Sequence, residues 1–249
     1  MSIELIPLPG LPGIGPGDDL GAMIAAAVER SAGGARDGDV VVVCQKIVSK
    51  AEGRIVALSD VVPRPEAEAF AREFEKDPAV VELALAEATE VLRMGDGHLI
   101  TATGPGFICA NSGLDRSNQN GEGQATLLPI DADKSAEDLA VSLGERLSVR
   151  PAVIISDTFG RPWRMGQLDV AIGADGLAVL DDHEGTKDWA GRTLEHTLIA
   201  VADQLAAAAG LLMGKADGVP VVLVRGFSFT AARGRAAELV RPKDQDIFR

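Results

Sequence analysis

Residues 151–173 read PAVIISDTFGRPWRMGQLDVAIG, and the first five decide how the rest is taken. The run Pro151 to Ile155 is apolar, too short for a helix and flanked by breakers, which predicts a buried strand. The strand is expected to stop at Ser156-Asp157-Thr158. Those side chains offer only oxygen, and Gly160, Arg161, Pro162 and Arg164 follow at once, setting an anionic, metal-ligating end beside two fixed cations. Hard oxygen donors suit Mg²⁺ or Mn²⁺, and guanidinium groups suit phosphate. The stretch reads as a metal-nucleotide site at a strand's end, with Asp157, Arg161 and Arg164 as its chemistry. An isolated DT-x-GR is equally a turn capped by aspartate with surface arginines beside it.

The same form recurs upstream in Gly38 to Arg54, GDVVVVCQKIVSKAEGR. Val40 to Val43 is a β-branched run of the kind buried on both faces of a sheet. Gln45, Lys46, Ser49 and Lys50 come just beyond it, where an α/β architecture places ligand groups past the strand's carboxyl edge. Lys46 and Lys50 also read as solvated charges, yet two strand ends rich in phosphate-type donors in an acidic chain are hard to take as independent. No sequence repeat is clear, although residues 40–50 and 152–161 share a strand-then-polar form that hints at two related halves. A second oxygen-rich cluster, Asn111 to Asn118, follows the apolar Phe107-Ile108-Cys109 and the turn Gly104-Pro105-Gly106. There Asp115 with Asn118 is a turn or N-cap pair, or Asp115 is the second carboxylate a nucleotide-bound divalent ion requires.

The remaining chain supplies a frame. Residues 3–8 predict a short strand, and Pro9 to Gly17 packs Gly and Pro too densely for any regular element. That bare loop is a connector, or its backbone approaches a ligand that side chains would block. Asp18 and Asp19 open a helix running to about Ser31. Glu66 to Arg93 reads as two helices joined by a kink near Asp77-Pro78, and His98 to Thr103 as a strand. Ser135 with Asp138 forms a capping-box-like helix start, and Gly173 to Leu177 a turn. Asp181 to Asp188 is a polar loop in which the lone His183 is a loop residue. Leu194 to Met213 is a helix apolar nearly all round, buried in the core or a subunit interface. Gly214 to Gly218 breaks it, and Val219 to Val224 is a further strand before a charged tail.

The chain has 249 residues, 46% of them hydrophobic, enough for one large domain or two small ones. A net charge of −13 argues against a surface that tracks nucleic-acid phosphates. Cys44 and Cys109 sit singly in apolar runs without CxxC or Cys/His spacing, as buried free thiols do. The N-terminal MSIELIPLPG has no basic n-region, and the apolar stretch Leu205 to Met213 is too short to span a bilayer. A soluble, cytoplasmic protein with no membrane partner is expected.

Six segments in order resemble the coenzyme F420-0:L-glutamate ligase family, the gamma-glutamyl ligases of deazaflavin coenzyme biosynthesis. They are LPGIGPGDDL, GDVVVVCQKIVSKAEGR, GFICANSGLDRSN, LPIDADKSA, ISDTFGRPWRMGQLDVAIG and AVADQLAAAAGLLMGKADGVPVVLVRG. Each is weak alone, but together they span nearly the whole chain. The resemblance implies a mixed α/β (α+β) fold peculiar to the family, with mixed sheets, one ligase domain over residues 1–249 built of two intertwined subdomains, and an intertwined homodimer. It implies GTP as co-substrate, L-glutamate and coenzyme F420-0 as partners, Mg²⁺ or Mn²⁺ with room for a second ion, and K⁺ as a further candidate ion. The γ-phosphoryl group would pass to a substrate carboxylate, and glutamate's amine would displace phosphate from the acyl phosphate. By position, Asp115 and Asp157 would hold the metal and Thr158 would face a second one. Leu11, Pro12, Gly13, Ile14, Gln45, Lys46, Lys50, Asn118, Met213, Gly214 and Lys215 would contact the nucleotide. One departure stands out: Lys215 follows Met213-Gly214 where some relatives carry an acidic metal ligand, which leaves Asp217 as a substitute.

Two other readings use the same residues. A metal-dependent phosphatase or kinase needs the same Asp, Thr, Lys and Arg set, and a GTP-binding module without turnover follows if Lys215 abolishes an essential metal.

Overall fold

A computed structural model describes residues 2–118, 121 and 123–246. The chain opens with β1 (Glu4–Pro7), α1 (Leu20–Ala32), β2 (Val40–Cys44), α2 (Gln45–Ala51) and β3 (Ile55–Ala57). A small lobe follows, comprising α3 (Pro65–Glu73), α4 (Pro78–Glu87), β4 (Glu90–Gly95), β5 (His98–Ala102), β6 (Ile108–Ala110) and β7 (Gln124–Thr126). The chain then returns through α5 (Ala132–Leu147), β8 (Ala152–Arg161), β9 (Arg164–Asp175), β10 (Leu180–Asp182), β11 (Leu198–Ala200), α6 (Val201–Met213) and β12 (Val221–Arg225). The class is mixed α/β, as expected. Among the described residues no helix is long and apolar enough to cross a membrane.

The core is a five-stranded sheet in the order β1-β12-β2-β8-β9. Only β2 and β8 are parallel, in a register that sets Val43 beside Ile155 and Cys44 beside Ser156. An ordinary doubly wound sheet, which periodicity alone would also allow, is therefore not what forms. Val40 to Val43 and Val153 to Ile155 are all 0% exposed. Successive strand side chains point to opposite faces, so the sheet must be covered on both. Helices α1 and α5 pack on each other and on the sheet, and α6 packs on β9, β12 and β1. A second apolar cluster, Phe70, Val81, Leu85 and Leu99 among its members, holds the small lobe together.

Several boundaries differ from the sequence expectation. β8 does not stop at Ser156 but runs on to Arg161, because β9 pairs with it through the whole polar segment, Asp157 opposite Val170 and Thr158 opposite Asp169. β9 likewise continues to Asp175, so the predicted turn begins only at Gly176. The helix expected from Leu194 starts at Val201 after β11, which pairs with β10. The second helix of the 66–93 stretch ends at Glu87, and Glu90 to Gly95 is a strand paired with β5. Helix α5 is capped by Asp131, whose carboxylate accepts from Lys134 N at 3.0 Å, and not by Ser135 with Asp138. Asp138 instead takes the Lys134 ammonium at 2.6 Å.

Candidate active site

The carboxyl ends of the parallel pair β2 and β8 open into one cleft of about 370 Å³. That size lies within the range of small-molecule sites. Its wall contains Leu11, Pro12, Gly13, Ile14, Gln45, Lys46, Lys50, Asp115, Asn118, Asp157, Thr158, Met213, Gly214 and Lys215, so the structure gathers residues from five separate stretches. Arg161 and Arg164 are not brought there. Because β8 continues straight at about 3.3 Å per residue, Arg161 lies roughly 13 Å along the strand from Asp157. It pairs with Arg164 across the two-residue turn Pro162-Trp163, and its guanidinium donates to Met165 O at 3.3 Å. Asp217, the proposed substitute ligand, is also absent from the wall. His183 is a loop residue, as read, paired with Asp181 at 2.9 Å.

Each wall element is fixed by its own local chemistry. Helix α2 begins one residue after β2, and Ser49 Oγ donates to Gln45 Oε1 at 2.8 Å within the buried side of the helix. Lys46 and Lys50, one turn apart, therefore share a face. The loop they meet is locked through its backbone: Asp115 and Thr126 exchange N–H···O bonds of 2.9 and 2.8 Å. Behind it, Ser112 Oγ donates to Ala84 O at 2.6 Å in the buried floor of the small lobe. Lys46 Nζ then reaches Asp115 Oδ2 at 2.8 Å and Ser117 Oγ at 2.6 Å, and Lys50 Nζ donates to Asn118 O at 2.7 Å. The glycine-proline loop is tied down by Gly17 N donating to Ala51 O and by Gly15 N donating to Asp18 Oδ2.

Asp157 and Thr158 enter the same cleft from β8. Thr158 Oγ1 donates to Asp169 Oδ1 at 2.5 Å and accepts from Lys215 Nζ at 2.8 Å. Asn118 Nδ2 donates to Lys215 O at 3.3 Å, which joins the two rims of the cleft. Lys215 follows Gly214, whose φ of 56° and ψ of −162° belong to glycine.

The electrostatics single out Asp157. Burial drives its carboxyl up to about 7, helped by the negative charges of Asp115 and Asp169 and opposed by the Thr158 N–H and Lys215. Burial also pushes Asp115 up, but hydrogen bonds from Lys46 and Ser117 outweigh it and hold that carboxyl below the usual range. Lys50 is lowered by burial and by neighbouring Lys46. Both cysteines stay protonated, Cys109 being pushed up to about 12 by burial.

The donor set fits one hard divalent ion. Asp115 and Asp157 both offer carboxylate oxygens to the cleft, and Asp157, driven up to about 7 by burial with the charges of Asp115 and Asp169 adding to it, is the group that an incoming cation would complete. Among the described residues no three acidic, histidine or cysteine side chains close into a metal cage. Ligand oxygens would therefore have to finish the shell, as nucleotide phosphates do for Mg²⁺. Thr158 does not fit a second ion, since its hydroxyl already bridges Asp169 and the Lys215 ammonium.

Sequence reasoning missed Asp169. The Pro162-Trp163 turn pairs Arg161 with Arg164 and by itself would set Gln167 opposite Thr158; a register shift between Gly160 and Arg161 brings Asp169 there instead, and the turn residues do not announce it.

Residues 10–226 match the model of the F420-0:Gamma-glutamyl ligase family. The chain belongs to that family. Over the full length of both chains it is 46% identical to a protein of Methanothermobacter thermautotrophicus named coenzyme F420:L-glutamate ligase. It is 41% identical to one of the same name from Methanopyrus kandleri, covering 100% of this chain and 98% of the relative. A third, from Methanocaldococcus jannaschii, is 42% identical over 86% of this chain and 85% of its own. Family membership therefore rests on the whole chain.

Proposed function

We propose that this protein is a GTP-dependent ligase that joins L-glutamate to coenzyme F420-0 through an acyl phosphate. The observation that carries the reading is the one cleft lined by Asp115 and Asp157, by Lys46, Lys50 and Lys215, and by the bare loop Leu11–Ile14. It lies in a chain alike end to end to proteins named for that ligation.

The chemistry follows from charge. A substrate carboxylate attacking the γ-phosphorus of GTP brings two anions together, and fixed cations offset the repulsion. A Mg²⁺ or Mn²⁺ held by Asp115 and Asp157 would neutralise charge on the phosphates when bound. Lys46 and Lys50 supply positive charge from one helix face, and the backbone of Leu11 to Ile14 allows close approach of the nucleotide. The new P–O bond forms as the bond to the β-phosphate oxygen breaks, and GDP leaves. Glutamate's amine then attacks the acyl carbon, the C–O bond to phosphate breaks, and inorganic phosphate leaves. Arg161 and Arg164 take no part within one chain.

GDP release measured with F420-0 and glutamate added singly and together tests the reading. Release that requires both supports the ligase. Rapid release without either identifies a phosphatase and overturns it.

A further inference from the structure

We infer that this protein works with a single divalent ion, the Lys215 ammonium standing where a second would otherwise be needed. The inference rests on the ligase reading and adds to it the number of ions per chain.

Three observations carry it. First, the Thr158 hydroxyl is committed on both sides: its proton goes to Asp169 Oδ1 at 2.5 Å and a lone pair receives Lys215 Nζ at 2.8 Å. An ion ligated at Thr158 Oγ1 would sit about 2.0–2.2 Å from that oxygen and so within a few ångströms of the ammonium, with no anion between them. Second, Asp169 is engaged on both sides, its Oδ1 taken by Thr158 and its carboxylate set against α6. Its other oxygen, Oδ2, lies so close to α6 that a methyl group on Gly210 would overlap it. Third, Lys215 is held in place. Its carbonyl is bound by Asn118, and its neighbour Gly214 has a glycine-only backbone against which Asp217 is folded, leaving Asp217 outside the cleft.

The cleft's charges agree with one ion. Two carboxylates, Asp115 and Asp157, and three ammonium groups, Lys46, Lys50 and Lys215, line the cleft; Lys46 is paired with Asp115, and Lys215 is joined through Thr158 to Asp169, which lies outside the lining. Among the described residues Asp157 makes no hydrogen-bonded lysine contact, accepting instead from Thr158 N, and remains as the anchor for a cation. An ammonium carries three N–H donors, and Thr158 takes one, so Lys215 can act on the phosphoryl group by hydrogen bonding as well as charge. It can do so without depending on the concentration of free metal.

Counting Mn²⁺ bound per chain by electron paramagnetic resonance, with saturating GDP and then a non-hydrolysable GTP analogue, tests this. The wild-type protein should bind one Mn²⁺ under both conditions. Lys215→Glu, which reverses the charge beside Thr158, should bind two, close enough to broaden each other's signal. Two ions in the wild type overturn the inference and leave the ligase reading standing. One ion in a Lys215→Glu protein with unchanged circular dichroism also overturns it. No Mn²⁺ in the presence of nucleotide sinks both. The wild-type count decides the matter even if the variant fails to fold.

Discussion

Asp157 pairs a partly buried carboxyl with a pKa near 7, and that combination has a consequence in the absence of ligands. A carboxyl raised above its unfolded value adds stability fully below about 3.8, and loses it as pH climbs through about 7. Asp157→Asn removes the penalty. In metal-free buffer the variant should match the wild type at pH 4 and exceed it at pH 8 by on the order of 2–4 kcal/mol, about 1.4 kcal/mol for each tenfold change in proton affinity. Urea denaturation at both pH values checks this, and equal stability at pH 8 would contradict it. The same change should lower the ligation rate on the order of a thousandfold, since metal-borne stabilisation is worth several kcal/mol. Stability and activity thus move in opposite directions, as expected of a site held under strain for function. Lys50→Met should weaken GTP binding about tenfold or more, the worth of a hydrogen bond to a charged group. Unchanged affinity by calorimetry would remove Lys50 from the site.

The helix α6 packs on the hairpin β8–β9, and at Gly210 there is no room for a side-chain carbon beside Asp169. Helix propensity alone predicts that Gly210→Ala stabilises by about 1 kcal/mol. The overlap with Asp169 Oδ2 should win, costing about 1–3 kcal/mol as overpacking does. A rise in the urea midpoint would show that Asp169 moves freely. This element was only half legible in sequence. The buried runs Val40 to Val43 and Ala152 to Ile155 announced the two central strands, and the polar residues after them announced the cleft. Arg161 was misplaced because a two-stranded hairpin outside the core needs no apolar pattern, so β8 looked finished where its burial ended. Helix and strand were confused at Leu198 to Ala200, where three apolar residues carry no period. Glu90 to Gly95 was more readable: Asp96-Gly97, both with positive φ, is a hairpin signal in the sequence that outweighs the helical reading.

Across the whole molecule, α6 buries Val201, Leu205, Ala209 and Met213 on its own sheet but leaves Leu211 81% exposed. More apolar surface lies at the hairpin tip. Trp163 and Met165 at the hairpin tip are 80% and 96% exposed. Light scattering at micromolar concentration should give twice 25.9 kDa for a homodimer. Met165→Glu should shift that mass toward the monomer, and a wild-type monomer would contradict the assembly. The central claim, that the cleft between β2 and β8 ligates glutamate, is tested most directly by mass spectrometry of F420-0 after incubation with GTP, L-glutamate and Mg²⁺ or Mn²⁺. The deazaflavin should gain one or more glutamyl residues with the wild-type protein and remain almost unmodified with Asp157→Asn over the same time. F420-0 recovered without added glutamate from the wild-type reaction, or equal conversion by Asp157→Asn, would contradict the account.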